Sequence, residues 1–452
     1  MIYQILKIIF RVALKLYFRK ININFYEEFP KGKSILFVAN HPSSFMDALL
    51  IAAFIKRPLH FMSRGESFNS PWKRWIFSYF NMHPIYRKEH SPGLVSKNTS
   101  LINGFQQLLL SKHSILIFPE GISHVEPWLY PLKTGAARVI LGAEENDSEE
   151  ILLVPIGLNY ENPHRFRSKV IANFGKAIDL AKYRKEYSQN KRKAVHQLTE
   201  KIKSELENLI FNIENEELHK FVPVVQSLYE RELVQNSPIT LPKEKKRFRI
   251  RKDIILGMHF FEKKFPSRSK HIKKGLREYQ KMLKFNSVKD NWLDSKYPYF
   301  ARFKPIYTVL YYVLGFPLFL YGLINHLGPM IMPRFIVKAI IKRPDFRGSL
   351  LLAFGALCFL IFYMLQFSLL ISLTGSVFWA IIYLISLPIT GCFALYYFRD
   401  FLRDKDMIMF KIFLQKDQNL LAYLKSYREQ LLQQLRAART EYLHSMESNL
   451  KE

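Results

Sequence analysis

Two stretches of this chain, Leu350–Leu373 and Val377–Phe398, carry no charged residue, and each is long enough to cross a hydrocarbon layer as a helix. Only Thr374, Gly375 and Ser376 separate them, so they form a tight hairpin. Arg343 and Arg347 precede the pair, and Arg399 and Arg403 follow it. By the positive-inside bias both outer ends face the cytoplasm. Ile306–Met332 is also apolar, but Pro317, Asn325, His326, Gly328, Pro329 and Pro333 interrupt it. Basic residues flank both of its ends, Arg302 and Lys304, then Arg334 and Lys338. One full crossing would place one basic flank outside. A re-entrant or helix-break-helix segment over 306–332 is therefore expected, with His326 at the break.

The remaining sequence is long enough for further domains, since the chain has 452 residues. Lys and Arg number 67 against 38 Asp and Glu, a formal charge of +29 that attracts anions such as acidic headgroups or phosphorylated substrates. Basic residues spread among membrane-adjacent segments argue against a nucleic-acid partner. Cys358 and Cys392 both sit in apolar segments, with neither a disulfide framework nor zinc spacing. No cleavable signal is evident. In Met1–Phe18 the cations Lys7, Arg11 and Lys15 are four apart and share one helical face, opposite Ile5, Ile8, Ile9, Val12 and Leu16. This pattern predicts an interfacial amphipathic helix over 1–20.

From about 21 to 215 short apolar runs alternate with helical patterns. Strands are predicted at Ser34–Ala39, Leu59–Ser63, Ser114–Phe118, Ile151–Gly157 and Lys169–Phe174, with helices at Asn98–Leu110 and Thr134–Glu144. That alternation argues for an α/β layer fold, in which ligands gather beyond the strand ends. Val195, Leu198, Ile202, Leu206, Leu209 and Ile213 mark an amphipathic helix. A basic helical region covers 216–304 and includes the run Lys243–Lys252, either a solvated face or a patch on anionic lipid. The membrane region is 305–398 and a helical tail is 399–452. In that tail Leu420, Leu424, Tyr427, Leu431, Leu435, Ala438 and Tyr442 form a coiled-coil-like stripe that pairs chains or packs back on the protein.

Chemistry concentrates in four places. Asn40-His41-Pro42-Ser43-Ser44-Phe45-Met46-Asp47 follows the first strand and precedes an apolar helix. A carboxylate that fixes an imidazole tautomer makes that imidazole a general base for an alcohol; helix capping is the plainer use of the same residues. Pro84-Ile85-Tyr86-Arg87 ends in an arginine suited to a phosphate. In Ile117-Phe118-Pro119-Glu120-Gly121-Ile122-Ser123-His124 a sharp turn presents Glu120 to a substrate hydroxyl or to Arg87, and Gly121 permits close backbone approach. Lys133 stands at the start of the following helix, a ready anion site. Val154-Pro155-Ile156-Gly157 reads as an apolar wall.

Together these blocks, in this order, resemble the glycerophosphate/lysophosphatidate acyltransferase family over roughly residues 20–215. Two departures, five residues between His41 and Asp47 and Ile122-Ser123-His124 where the commonest third block has Thr-Arg-Ser, are similar to the fungal-type glycerol-3-phosphate/dihydroxyacetone-phosphate acyltransferase subgroup. That subgroup also tends to carry membrane helices after its catalytic domain.

The resemblance implies an α/β acyltransferase domain, a mixed sheet with flanking helices, followed by a helical region, C-terminal transmembrane helices and a helical tail. It implies transfer of a fatty acyl group from acyl-CoA or acyl carrier protein to glycerol 3-phosphate or 1-acylglycerol 3-phosphate at a bilayer, with neither metal nor other cofactor. His41 is the implied base and Asp47 its orienting carboxylate. Arg87, Glu120, Gly121, Ser123 and Lys133 are the implied acceptor-binding residues. With the third-block arginine missing, the charge for a phosphate falls to Arg87, Lys133 or His124. The catalytic domain is expected on the cytoplasmic face of the membrane, and an oligomer through the tail is open. The rival readings are a non-catalytic basic membrane scaffold and a transferase using another lysophospholipid. A serine hydrolase would need Gly-x-Ser-x-Gly, which does not occur in the chain.

Overall fold

Ile35–Ala39 is buried at every position, as a continuous apolar run must be when helices cover both faces of a sheet. The computed structural model describes residues 2–86, 97–144, 151–237, 240–294 and 305–449. In the first unit, Met1–Asn212 with Pro333–Ala356, that strand is β2 of a seven-stranded sheet. Its partners are β1 (Lys20–Phe25), β3 (Leu59–Arg64), β4 (Met82–Ile85), β5 (Ser114–Ile117), β6 (Leu152–Tyr160) and β7 (Lys169–Phe174), in the order β1-β7-β6-β2-β5-β3-β4. β6, β2, β5, β3 and β4 run parallel, whereas β7 is antiparallel to β6 and β1 parallel to β7. The sheet is thus mixed, and five strands deliver their C-terminal ends to one edge.

Alternation along the strands separates two cores. Leu36, Val38, Ile115, Ile117 and Leu153 pack with α4 (Lys97–Leu110), α5 (Gly135–Glu144) and α7 (Lys191–Leu209). Ile35, Phe37, Ala39, Leu116, Val154 and Ile156 pack with α1 (Ile2–Tyr17), α2 (Phe45–Phe54) and Leu352. α3 (Pro71–Tyr79) and α6 (Ala181–Gln189) complete the unit.

α1 turns Lys7 and Arg11 inward. Lys7 Nζ donates to Ile55 O, and Arg11 donates to Ala53 O through Nε at 2.9 Å and Nη2 at 2.7 Å. Both cations thereby satisfy carbonyls at the C-terminus of α2, where positive charge is favoured. Ile5, Ile8, Ile9, Val12 and Leu16 are left exposed.

The second unit is Ile213–Met332 with Leu357–Glu452. Here α8 (Glu216–Asn236), α9 (Lys243–Lys264), α10 (Pro266–Phe285) and α14 (Gln418–Asn449) share a core that includes Phe221, Leu228, Ile254, Tyr279, Leu424 and Leu431. The stripe of the tail therefore packs back on the basic helical region. A cavity of about 290 Å³ opens among these helices, and none of the four sequence blocks lines it.

Among the described residues three helices are long and apolar enough to cross a membrane: α11 (Pro305–Ile340), α12 (Pro344–Thr374) and α13 (Val377–Lys416). α12 and α13 hold the expected hairpin, with Gly375 at φ +65° in the connection. α11 corrects the expected break, because it is continuous through Pro317, Pro329 and Pro333. Pro329 has no N–H for the Asn325 carbonyl, and Gln366 Nε2 donates to that oxygen instead at 2.9 Å. His326 lies within the helix, bonded to Gly322 O at 2.6 Å and to the Tyr363 hydroxyl at 2.9 Å.

Candidate active site

Beyond β2 the chain cannot continue its ladder with backbone alone. Asn40 continues it with its amide: Nδ2 donates to Leu158 O at 3.0 Å and Oδ1 accepts Leu158 N–H at 2.7 Å. This locks the end of β2 to β6 and fixes where His41 begins. The turn is then forced through Ser44 at φ +49°, which reverses the chain into α2. One α2 turn later Asp47 points back at the imidazole, with Oδ2 2.9 Å from His41 Nδ1. A carboxylate only accepts, so it selects the tautomer protonated on Nδ1 and leaves the Nε2 lone pair for a substrate proton.

Asp47 is completely buried. Burial pushes its carboxyl above the usual range, against the pull of His41, the Ser43 N–H and the Tyr160 hydroxyl. The Ser43 N–H reaches Oδ2 at 2.7 Å, and the Tyr160 hydroxyl reaches Oδ1 at 2.8 Å. Burial, and then the neighbouring Asp47, push the Tyr160 phenol far up, so it remains a donor. Ser44 makes no side-chain cap to α2. The plainer capping use of these residues is thus not the one adopted: the carboxylate serves the imidazole.

The third block forms the floor. The Phe118 ring stacks on His41 with centroids 4.0 Å apart and planes 12° apart. Glu120 was expected to meet a substrate hydroxyl or Arg87, but its carboxylate is buried and turned into the protein. Oε1 accepts the His41 N–H at 2.7 Å; Oε2 accepts the Tyr130 N–H at 2.8 Å and bonds His124 Nε2. Glu120 therefore positions the histidine loop against its own. His124 is buried against Tyr130, centroids 3.7 Å apart, and its Nε2 faces the Glu120 carboxylate inside the protein.

Gly121 has φ +72°, and a Cβ there would lie 3.0 Å from Lys133 Cδ and Cε and 3.2 Å from Nζ. Glycine suits that positive-φ backbone, and the Lys133 side chain lies across the turn. Ser123 was assigned to the acceptor; its buried hydroxyl instead donates to Asp345 Oδ2 at the start of α12. Arg87 lies outside the described residues. Among the described residues no group of three or more His, Cys, Asp or Glu side chains suits a metal ion.

Sequence reasoning did not find Tyr160, Asp345 or Ser349. Tyr160 lies three residues past the predicted end of its strand. β6 is longer because Asn40 and β7 both hold its extension. Asp345 and Ser349 come from far along the chain, and no local pattern points to them.

The acyltransferase family model matches residues 20–159. The chain is 27% identical over 254 residues to glycerol-3-phosphate O-acyltransferase 1 of Saccharomyces cerevisiae, covering 54% of this chain and 31% of that protein. It is 32% identical over 197 residues to glycerol-3-phosphate O-acyltransferase 2 of the same yeast, covering 43% of this chain and 25% of that one. The matched part thus spans about a third or less of those relatives' length. The crystal structure of the 1-acyl-sn-glycerophosphate acyltransferase from Thermotoga maritima superposes with a TM-score of 0.32 at 19% identity, covering 44% of this chain and 75% of that one.

Proposed function

We propose that this chain, whose residues 20–159 form an acyltransferase-family domain, is a membrane-bound O-acyltransferase of phospholipid synthesis that acylates a phosphorylated glycerol. The observation that supports this most is the His41–Asp47 pair at the C-terminal edge of the five parallel strands of a mixed sheet, with the carboxylate fully buried and held by three donors. The relatives named for glycerol 3-phosphate favour that acceptor over its 1-acyl derivative.

In this reading His41 Nε2 takes the proton of the acceptor hydroxyl as its oxygen attacks the thioester carbonyl carbon. Asp47 stabilises the imidazolium that forms. Collapse of the tetrahedral adduct breaks the carbon–sulfur bond, and the departing thiolate recovers the proton from His41. The thioester of coenzyme A or acyl carrier protein is a co-substrate, and the reaction needs neither metal nor other cofactor. Lys133 supplies positive charge beside Gly121 for the acceptor phosphate, and Arg87 is assigned there from its sequence position. The basic flanks of α12 and α13 favour a catalytic domain on the cytoplasmic face. The exposed apolar face of α1 suits the same bilayer surface.

A panel of glycerol 3-phosphate, dihydroxyacetone phosphate and lysophospholipids with labelled acyl thioester tests the reading on purified full-length protein. Wild type transfers label to glycerol 3-phosphate, and His41→Ala loses at least a thousandfold in kcat, on the order of a general base and its positioning combined. Retention of wild-type transfer by His41→Ala would refute the reading.

A further inference from the structure

The third block lacks the arginine that its commonest form carries, yet the structure brings a guanidinium to that block from more than two hundred residues away. The first turns of α12 belong to the same compact unit as the sheet. Four of their residues seat them on loops of that unit. Asp345 accepts the Ser123 hydroxyl. Ser349 Oγ donates to Ser43 O and accepts Met46 N–H, each at 2.9 Å. Gly348 approaches so closely that a Cβ would lie 2.4 Å from Pro163 O. The Phe346 ring meets Phe45 with centroids 6.0 Å apart.

Arg343 is held by that arrangement. Its Nε and Nη2 donate to the two oxygens of Asp345 at 3.1 and 2.7 Å, and its guanidinium lies over the Phe346 ring at 4.8 Å. Asp345 thus occupies one edge of the guanidinium. The other edge, with Nη1, remains for a second planar or tetrahedral anion, and about half of the side chain (49%) is exposed to admit one. Lys133 lies across Gly121, and Arg343 is one carboxylate away from Ser123, two residues further on.

We propose that Arg343 binds the phosphate of the acceptor, and that with Lys133 it takes the place of the absent third-block arginine. The inference rests on the acyl-transfer reading and names a residue of its acceptor site. Ser123 then acts through Asp345, as the anchor of the arginine, without touching substrate itself. The chemistry recognised is a phosphomonoester, which a free acceptor and a lipid headgroup both offer; the test separates them.

Full-length protein in zwitterionic vesicles is assayed with glycerol 3-phosphate and acyl thioester. Arg343→Ala raises the KM for glycerol 3-phosphate roughly 10- to 100-fold, the scale of one charged hydrogen-bonded contact. Its kcat at saturating acceptor changes by no more than about threefold, and the KM for the thioester is unchanged. Arg343→Lys is intermediate, because an ammonium cannot hold Asp345 and a phosphate by separate edges. An unchanged acceptor KM overturns the proposal. So does a defect seen only when anionic lipid is added, which would make Arg343 a headgroup contact. Calorimetric binding of glycerol 3-phosphate to His41→Ala, with and without Arg343→Ala, separates the two levels. Arg343-dependent binding, with a wild type that transfers no acyl group to any acceptor, sinks the enzymatic reading and keeps the site. Acyl transfer with binding indifferent to Arg343 does the reverse.

Discussion

At the scale of residues the site depends on how the oxygens of one carboxylate are shared. Oδ2 of Asp47 holds the imidazole and the Ser43 amide, and Oδ1 holds the Tyr160 hydroxyl. Removing the hydroxyl takes a donor from a buried anion, a loss of about 1.5–3 kcal/mol for a hydrogen bond to charge. Tyr160→Phe is therefore expected to lower kcat/KM by roughly tenfold or more. Asp47 is already raised by burial, and without Tyr160 it rises further. Protonating Asp47 takes the carboxylate from the imidazole, so the acid limb of the kcat/KM profile moves to higher pH. A pH–rate profile of Tyr160→Phe that overlays the wild type would show that the hydroxyl only fills space.

At the scale of elements, the edge strand β4 and its neighbour β3 carry two stacked histidines, with His113, just before β5, beside them. His60 Nδ1 lies 3.0 Å from His83 Nε2, and the His113 ring is 4.9 Å from that of His60. Burial first, then the charges of His83 and His113, push His60 down to about 4. Burial also lowers His83. The folded edge therefore favours neutral rings, whereas the unfolded chain binds a proton near 6.5. This contribution to stability is full above about pH 6.5 and is lost as the pH falls toward 4. Thermal midpoints measured across that window should fall with acidity, and His60→Gln should flatten the fall; an unchanged slope would place the acid sensitivity elsewhere.

The elements also show where sequence pattern suffices. β7 spans the predicted residues, and β2, β3 and β5 differ from their predicted spans by a residue, because apolar runs bounded by polar turns leave little choice. The pairing of His41 with Asp47 was legible for the same reason: strand, turn and helix fix it locally. α11 was misjudged because prolines break helices in water, whereas here a side chain of another helix bonds the carbonyl that Pro329 leaves. The roles of Glu120 and Ser123 were misassigned because their partners, the His41 amide and Asp345, belong to other segments. Spacing tells which residues reach a strand end, but not whether they turn to substrate or to their neighbours.

At the scale of the whole molecule, a membrane helix takes part in shaping the catalytic loop. Ser349 supplies α2 with the hydroxyl that Ser44 does not, accepting the Met46 N–H while donating to Ser43 O. Ser349→Ala removes this cap, which costs about 0.5–2 kcal/mol. The expected result is a lowered thermal midpoint together with a reduced kcat, both restored by Ser349→Thr. A lowered midpoint with undiminished kcat would make the contact purely structural.

Met46 and Ser349 are 303 positions apart in the chain. At a synthesis rate of about 5–20 residues per second, the ribosome finishes the histidine loop roughly 15–60 seconds before it makes the serine that fastens it. A nascent catalytic domain thus waits, without its fastening, until the bilayer-directed segment has emerged. On the acyl-transfer proposal, thioester met during that interval finds an unfinished site, which ties the onset of turnover to the emergence of that segment.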